Sequence, residues 1–84
     1  WYRMAAEQGN ARAQNNLGFR YDYGQGVPQD YVTAHMWYNL GAANGNTLGG
    51  PNRDRIAEIM TPSDISEAQR RARVCMESNY QDCD

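Results

Sequence analysis

The sequence predicts an all-α fold: a superhelix of stacked α-helical hairpins, a helical-hairpin solenoid. Three observations predict it. The block Trp1-Tyr2-Arg3-Met4-Ala5-Ala6-Glu7-Gln8-Gly9-Asn10 returns 36 residues later as Trp37-Tyr38-Asn39-Leu40-Gly41-Ala42-Ala43-Asn44-Gly45-Asn46, with five identities. A period of that length marks units that bury their apolar faces against one another. Between the two copies, apolar residues recur at helical spacing on either side of a Gly/Pro-rich break. Finally, Leu, Ile, Val and Phe supply only ten of the 84 residues, whereas nine residues are aromatic and ten are Ala. Large rings packed against small methyl groups then replace an aliphatic core.

The elements follow in order. Residues 1–8 read as the end of a helix that stops at Gly9-Asn10. From Ala11 to Tyr23, Ala13, Leu17 and Tyr21 fall at i, i+4, i+8 on one helix face. The run Gly24-Gln25-Gly26-Val27-Pro28-Gln29-Asp30 ends it: Gly24 or Gly26 takes the left-handed conformation that closes a helix. Asp30 then caps the next helix by accepting a backbone N–H bond. That helix spans Tyr31 to Ala43 and carries two apolar stripes, Tyr31, Ala34, Tyr38, Ala42 and Val32, Met36, Leu40, Ala43. A helix apolar on two sides is sandwiched between neighbours. Small residues at Ala13, Gly18, Ala34 and Gly41 or Ala42 let the helices approach closely, with Trp37 and the tyrosines filling the space between.

After Asn46 the repeat decays. A helix is expected from about Pro51 to Met60, with Ile56, Ile59 and Met60 inward and proline in the first turn. Thr61-Pro62-Ser63-Asp64 is a helix start: Thr as N-cap, Pro first, an acid third. The last helix, about Pro62 to Ser78, carries the stripe Ile65, Ala68, Ala72, Cys75, Met76 opposite Glu67, Arg70, Arg71 and Arg73, with Glu67–Arg71 as an i,i+4 pair. One apolar stripe and one charged face suit a terminal repeat. The organisation is therefore residues 1–46, the end of one repeat plus a full hairpin, and residues 47–84, a degenerate C-terminal repeat or cap.

Composition narrows the function. A net charge of −2 without a basic face argues against a nucleic-acid partner. No apolar run approaches the ~18 residues of a membrane span. All eight cations are Arg, so neither a Schiff-base lysine nor a phosphate-loop lysine exists. Gly24-Gln25-Gly26 follows a helix rather than a strand and lacks a third glycine, so it is not a dinucleotide loop. The single histidine, His35, has no surrounding carboxylate pattern and reads as a packed or surface residue. The serines lack a nucleophile-elbow context. No metal site, cofactor or catalytic group is expected. The chain opens on Trp1 rather than Met, so an upstream part is expected to have been removed. Trp1 and Tyr2 would then leave an exposed apolar edge fit for self-association.

The string Leu17-Gly18-x-x-Tyr21-x-x-Gly24-x-Gly26-Val27-x-x-Asp30-Tyr31-x-x-Ala34-x-x-Trp37-Tyr38 resembles the Sel1-like repeat, a relative of the tetratricopeptide repeats. The resemblance covers residues 1–46. It implies a right-handed superhelix used as a scaffold for protein or peptide contacts, with the first helix of each hairpin lining the concave surface. On that helix Arg12, Asn15, Phe19 and Asp22 lie at i, i+3, i+7, i+10, opposite Ala13, Leu17 and Tyr21, and are the expected partner-binding residues. Phe19 is either an exposed anchor or a ring packed on Tyr23 or an upstream repeat; Arg55 and Glu58 extend the same face.

Cys75 and Cys83, eight residues apart, leave a disulfide, free thiols or a redox or metal pair open, although the spacing is not CxxC. Their segment resembles the cysteine-rich branch of the family, which implies a disulfide pinning the C-terminal tail and a periplasmic or secreted bacterial setting. Some members of that branch bind or weakly hydrolyse β-lactams. That makes an enzyme the alternative to a scaffold, and a purely structural array terminus a third reading.

Overall fold

A computed structural model describes residues 2–81 and Cys83, the first two of them by backbone alone. Among the described residues five helices follow one another: α1 (Tyr2–Glu7), α2 (Ala11–Tyr23), α3 (Tyr31–Ala43), α4 (Gly49–Ala57) and α5 (Pro62–Glu77). No strand occurs among the described residues. The helix α1 packs on α2, and α2 on α3; α3 packs in turn on α4 and α5. Trp1, half of the repeated Trp pair and of the expected apolar edge, lies outside the described residues, as does the Tyr2 side chain.

The two helices of the complete hairpin span the residues that the sequence predicts, because their ends are chemically fixed. The Asn10 side chain accepts the Ala13 N–H at 2.9 Å and opens α2. Gly24, at φ 68°, closes it by donating its N–H to the Arg20 carbonyl. The Asp30 carboxylate accepts the Thr33 N–H at 3.2 Å and the Thr33 hydroxyl at 2.7 Å, opening α3. The connecting loop folds back on α2, with the Asp30 N–H on the Tyr21 carbonyl at 3.0 Å and the Gln29 amide on the Asp22 carbonyl at 2.8 Å. At α5, Thr61 accepts the Asp64 N–H at 3.1 Å, and Pro62 occupies the first turn.

The helix α3 is the centre of the molecule. Thr33 to Tyr38, Leu40 and Gly41 are all buried. Neighbouring residues on α3 serve different cores. Trp37 packs with Ala6, Ala13, Leu17, Met36, Leu40, Ala72, Cys75 and Cys83. Tyr38 packs on the other side with Ala34, Ile56, Met60 and Ala68. Two rings are thus the largest fully buried side chains, at the centre of clusters that aliphatic residues fill in other domains. Gly18 makes this fit: a Cβ there would lie 2.7 Å from Tyr38 Cδ1. Gly41 does the same where α2 begins, its Cβ position being 3.1 Å from the Ala11 carbonyl oxygen. Ala43, expected on the second stripe, is exposed at the end of α3, beyond the reach of its neighbours.

Three expectations for the second half need correction. First, α4 starts at Gly49, two residues before Pro51. The Asn46 side chain accepts the Leu48 and Gly49 N–H groups at 2.9 and 3.1 Å, which winds the first turn early. Gly49 lies directly on α3, where a Cβ would sit 2.6 Å from the Tyr38 carbonyl oxygen. Second, Ile56 and Met60 are buried but Ile59 is 65% exposed. Beyond Ala57 the chain winds through three-residue turns, Ile59 N–H to Ile56 and Met60 N–H to Ala57, and this tighter winding swings Ile59 outward. Third, on α5 Ala68, Ala72 and Cys75 are buried and Ile65 half-buried, but Met76, at the edge of the stripe, is 41% exposed. Glu67 pairs with Arg70 at 2.7 Å rather than with Arg71, which is half-buried beside Ala72.

Cys75 and Cys83 are disulfide-bonded. Between them Asn79 and Tyr80 take positive φ, 58° and 66°, which turns the tail back on the body. The Tyr80 ring covers Gly9, whose Cβ position lies 3.3 Å from it. The tail therefore joins the last helix to the end of the first.

Two adjacent glycines separate packing from propensity. Gly49→Ala is expected to lower unfolding free energy by about 1–3 kcal/mol, because backbone on α3 cannot yield to the new methyl. Gly50→Ala meets nothing nearer than the flexible Arg53 side chain at 3.8 Å, and is expected to stabilise by up to ~1 kcal/mol through helix propensity. Urea denaturation of the two variants beside the parent checks both signs.

Candidate functional site

The helix α2 buries Ala13, Gln14, Asn15, Leu17, Gly18 and Asp22. Of the four residues expected on its solvent face, Arg12 and Phe19 are exposed, whereas Asn15 and Asp22 are only 8% and 2% exposed. The face is therefore misplaced at those two positions. The reason lies in side chains that reach that side of α2 from α4 and α3. The Asn52 amide donates to the Asn15 side-chain oxygen at 3.2 Å, and the Arg55 guanidinium donates to the Asp22 carboxylate. The Tyr38 hydroxyl donates to the same carboxylate at 2.8 Å. Asn15 and Asp22 thus bond to α4 rather than face solvent.

The electrostatics follow from that junction. Burial, followed by the hydrogen bond to Asp22, pushes the Tyr38 hydroxyl well above the usual tyrosine range, so it remains a donor. The hydrogen bond to Asp22 likewise holds the Arg55 proton more tightly than usual. Arg55 is the expected extension of the α2 face, but it arrives there as the partner of Asp22.

The stripe that α2 exposes is rotated from the expected one and runs Arg12, Asn16, Phe19, Arg20, Tyr23, at i, i+4, i+7, i+8, i+11; Asn16 and Arg20 are half-buried. Phe19 and Tyr23 form a tilted ring pair, centroids 4.6 Å apart and planes at 49°. They remain 43% and 54% exposed. The Arg55 guanidinium lies 5.6 Å over the Tyr23 ring, a cation–π contact beside its ion pair. Asn16, Phe19, Arg20 and Gln25 line an open cleft at the foot of this pair. Phe19 thus both packs on Tyr23 and faces solvent. Sequence reasoning named Tyr23 only as a packing partner of Phe19 and missed Asn16, although both fall at helical spacing from Arg12 and Phe19.

A second polar network also escaped the sequence. Gln14, fully buried, donates to the Ala6 carbonyl at 3.0 Å and accepts from the Asn44 amide at 2.9 Å. The other Asn44 hydrogen goes to the Leu40 carbonyl at 3.0 Å, and the Tyr80 hydroxyl donates to the Asn44 oxygen at 3.2 Å. One amide therefore closes the end of α1, and the chain of bonds reaches α3 and the tail. The signal was available: Gln14 sits beside Ala13 and three residues before Leu17, on the buried side of α2.

His35 is packed, 3% exposed. Its Nδ1 has no hydrogen-bond partner among the described residues. Burial, reinforced by Arg53 and opposed by Asp54, lowers its pKa and favours the neutral ring. Gly24 and Gly26, both at positive φ, serve the α2–α3 turn.

The junction gives a graded test. Asp22→Ala strands the buried Tyr38 hydroxyl, and is expected to lower unfolding free energy by about 2 kcal/mol. Arg55→Ala leaves the Asp22 carboxylate, its side chain 3% exposed, without its counter-charge and is expected to cost more, about 3 kcal/mol. Chemical denaturation of both variants gives the ranking; a cost for Arg55→Ala well below that for Asp22→Ala would contradict it.

Comparison with known proteins supports the repeat. The family model described as Sel1 repeat matches residues 1–10 and 11–46. Human sel-1 homolog 2 is 40% identical over 47 residues, which is 56% of this chain and 7% of that protein. The mouse and rat forms of sel-1 homolog 2 are each 38% identical over 47 residues. The chain thus spans about 7% of the length of these relatives.

Proposed function

The chain belongs to the Sel1 repeat family, and we propose on that premise that it is a non-enzymatic scaffold that binds a protein or peptide on the exposed stripe of α2. Arg12 and Phe19 are the contact residues retained from the sequence, joined by Tyr23. Asn15 and Asp22 support the surface from behind. The observation that carries this reading is the Phe19–Tyr23 pair, two large rings left about half exposed in a chain otherwise short of apolar side chains. Clustered aromatics flanked by arginine are the usual anchors of an interface.

Residues 47–84 act as the terminating repeat. The stripe of α5 covers α3, and its other side presents Ser66, Gln69, Arg70 and Arg73 to solvent. The Cys75–Cys83 disulfide supports an oxidising setting, periplasmic or secreted. It also fastens the tail; closing so short a loop contributes about 2–3 kcal/mol.

Selection from a displayed library of random peptides against the 84-residue chain tests the scaffold reading. We expect binders whose affinity falls roughly tenfold in Phe19→Ala while helicity measured by circular dichroism is unchanged. A library that yields no binder, or a chain that sustains hydrolysis of a chromogenic β-lactam, would overturn it.

A further inference from the structure

We propose that Asn44 is a deamidation site, a slow covalent switch that detaches the C-terminal tail when its amide is lost. Three observations carry it. First, of the eight asparagines only Asn44 is followed by glycine. In the reaction the Gly45 backbone nitrogen gives up its proton to base and attacks Asn44 Cγ. The new N–Cγ bond closes a cyclic succinimide, and the Cγ–Nδ2 bond breaks, releasing ammonia. Water then opens the ring to aspartate or isoaspartate, so the net change is one water in and one ammonia out. A glycine at the attacking position has no Cβ to hinder ring closure and has the backbone freedom to reach it. Second, both residues are exposed, and nothing lies within 4 Å of where a Gly45 Cβ would stand. The Gly45 N–H makes a long bond, 3.2 Å, to the Ala42 carbonyl. Third, the Asn44 amide is the joint through which α2, α3 and the tail are connected.

An acid cannot take over that role. The two amide hydrogens go to Gln14 Oε1 at 2.9 Å and to the Leu40 carbonyl at 3.0 Å. Both partners are acceptors, so a carboxylate meets two oxygens with no proton between them. Gln14 cannot flip to answer it, because its amide nitrogen is committed to the Ala6 carbonyl and its side chain is fully buried. The new charge also falls at the C-terminal end of α3, the negative pole of the helix dipole. Isoaspartate lengthens the backbone at the turn as well. What is lost is the anchorage of Tyr80, whose hydroxyl is bonded to Asn44 and whose ring lies on Gly9 at the end of α1. The same bonds slow the reaction while they last, since ring closure requires the Asn44 side chain to leave the network. The switch is gated by the contact that it destroys.

Ageing the 84-residue chain in mildly alkaline buffer, with peptide mass spectrometry at intervals, tests the chemistry. Asn44 is expected to convert ahead of every other asparagine, to a mixture of aspartate and isoaspartate. In Tyr80→Phe, which loses a hydrogen bond to the amide, conversion is expected to run roughly threefold faster. Nuclear magnetic resonance reads the consequence. In the aged fraction and in Asn44→Asp, the Gly9 α-proton resonances, which lie beside the Tyr80 ring, are expected to move to positions free of its ring current. Exchange protection of the Gly9 and Asn10 amides, bonded to the Ala6 and Ala5 carbonyls, is expected to fall roughly tenfold. If Asn44→Asp does not fold, the partly aged parent decides, because fresh and converted molecules are compared in one sample. Conversion spread evenly over the asparagines, or a converted Asn44 that leaves the Gly9 resonances and both amides unchanged, would overturn the proposal. Equal rates in Tyr80→Phe and the parent would overturn the gating by the tail.

Discussion

The burial of α3 on nearly every side is the constraint from which the other features follow. A chain with ten Leu, Ile, Val and Phe residues cannot build a core by mass of aliphatic carbon. It places two large rings, Trp37 and Tyr38, on adjacent positions of one helix and packs a separate cluster around each. That works only if the surrounding backbones come close. Gly18 and Gly49 supply the approach at the ring and at the backbone of Tyr38, where a methyl group would fall 2.7 Å from the ring and 2.6 Å from the carbonyl oxygen. The glycines that weaken helix propensity are therefore what the packing requires.

Polar chemistry then sets the order of the hairpins. Buried polar groups are costly unless paired, and Gln14, Asn15 and Asp22 each tie separate elements together. Asp22 receives Tyr38 from α3 and Arg55 from α4. Gln14 and Asn44 run from the end of α1 to Tyr80 in the tail, which the disulfide holds in place. The same arrangement shapes the functional surface. Because Asp22 is consumed internally, what α2 shows to solvent is rings and arginines.

Much of this was legible in the sequence. The bounds of α2 and α3 and the start of α5 were written in residues with one dominant local role: Asp30 and Thr61 as caps, Gly24 as the left-handed terminator, Pro62 in the first turn. The small residues at helix crossings were also visible, since the rings that they must admit are in the same repeat. What failed depended on packing between repeats. Asn15 and Asp22 look like solvent residues until Asn52 and Arg55 reach them from α4. Gly49 and Gly50 fall outside a helix expected to begin near Pro51, but the Asn46 side chain starts α4 early and α3 demands a glycine at the crossing. Ile59 and Met76 were placed by ideal periodicity, which the tight turns after Ala57 and the narrow buried stripe of α5 do not follow. The stripe at Arg12, Phe19 and Tyr23 was half readable: helical spacing gives its members, but only the position of α4 says which side of α2 is free.

Native-state hydrogen exchange, resolved by residue, tests the central claim most directly. If α3 is the shared core, its amides from Ala34 to Leu40 exchange only through global unfolding, with a single free energy equal to that from denaturation, whereas α1 and the outer turns of α4 and α5 open locally at lower cost. Amides of α3 that exchange through a cheaper local opening than those of α4 and α5 would contradict the account, because two clusters on one helix cannot hold the fold together if that helix leaves first.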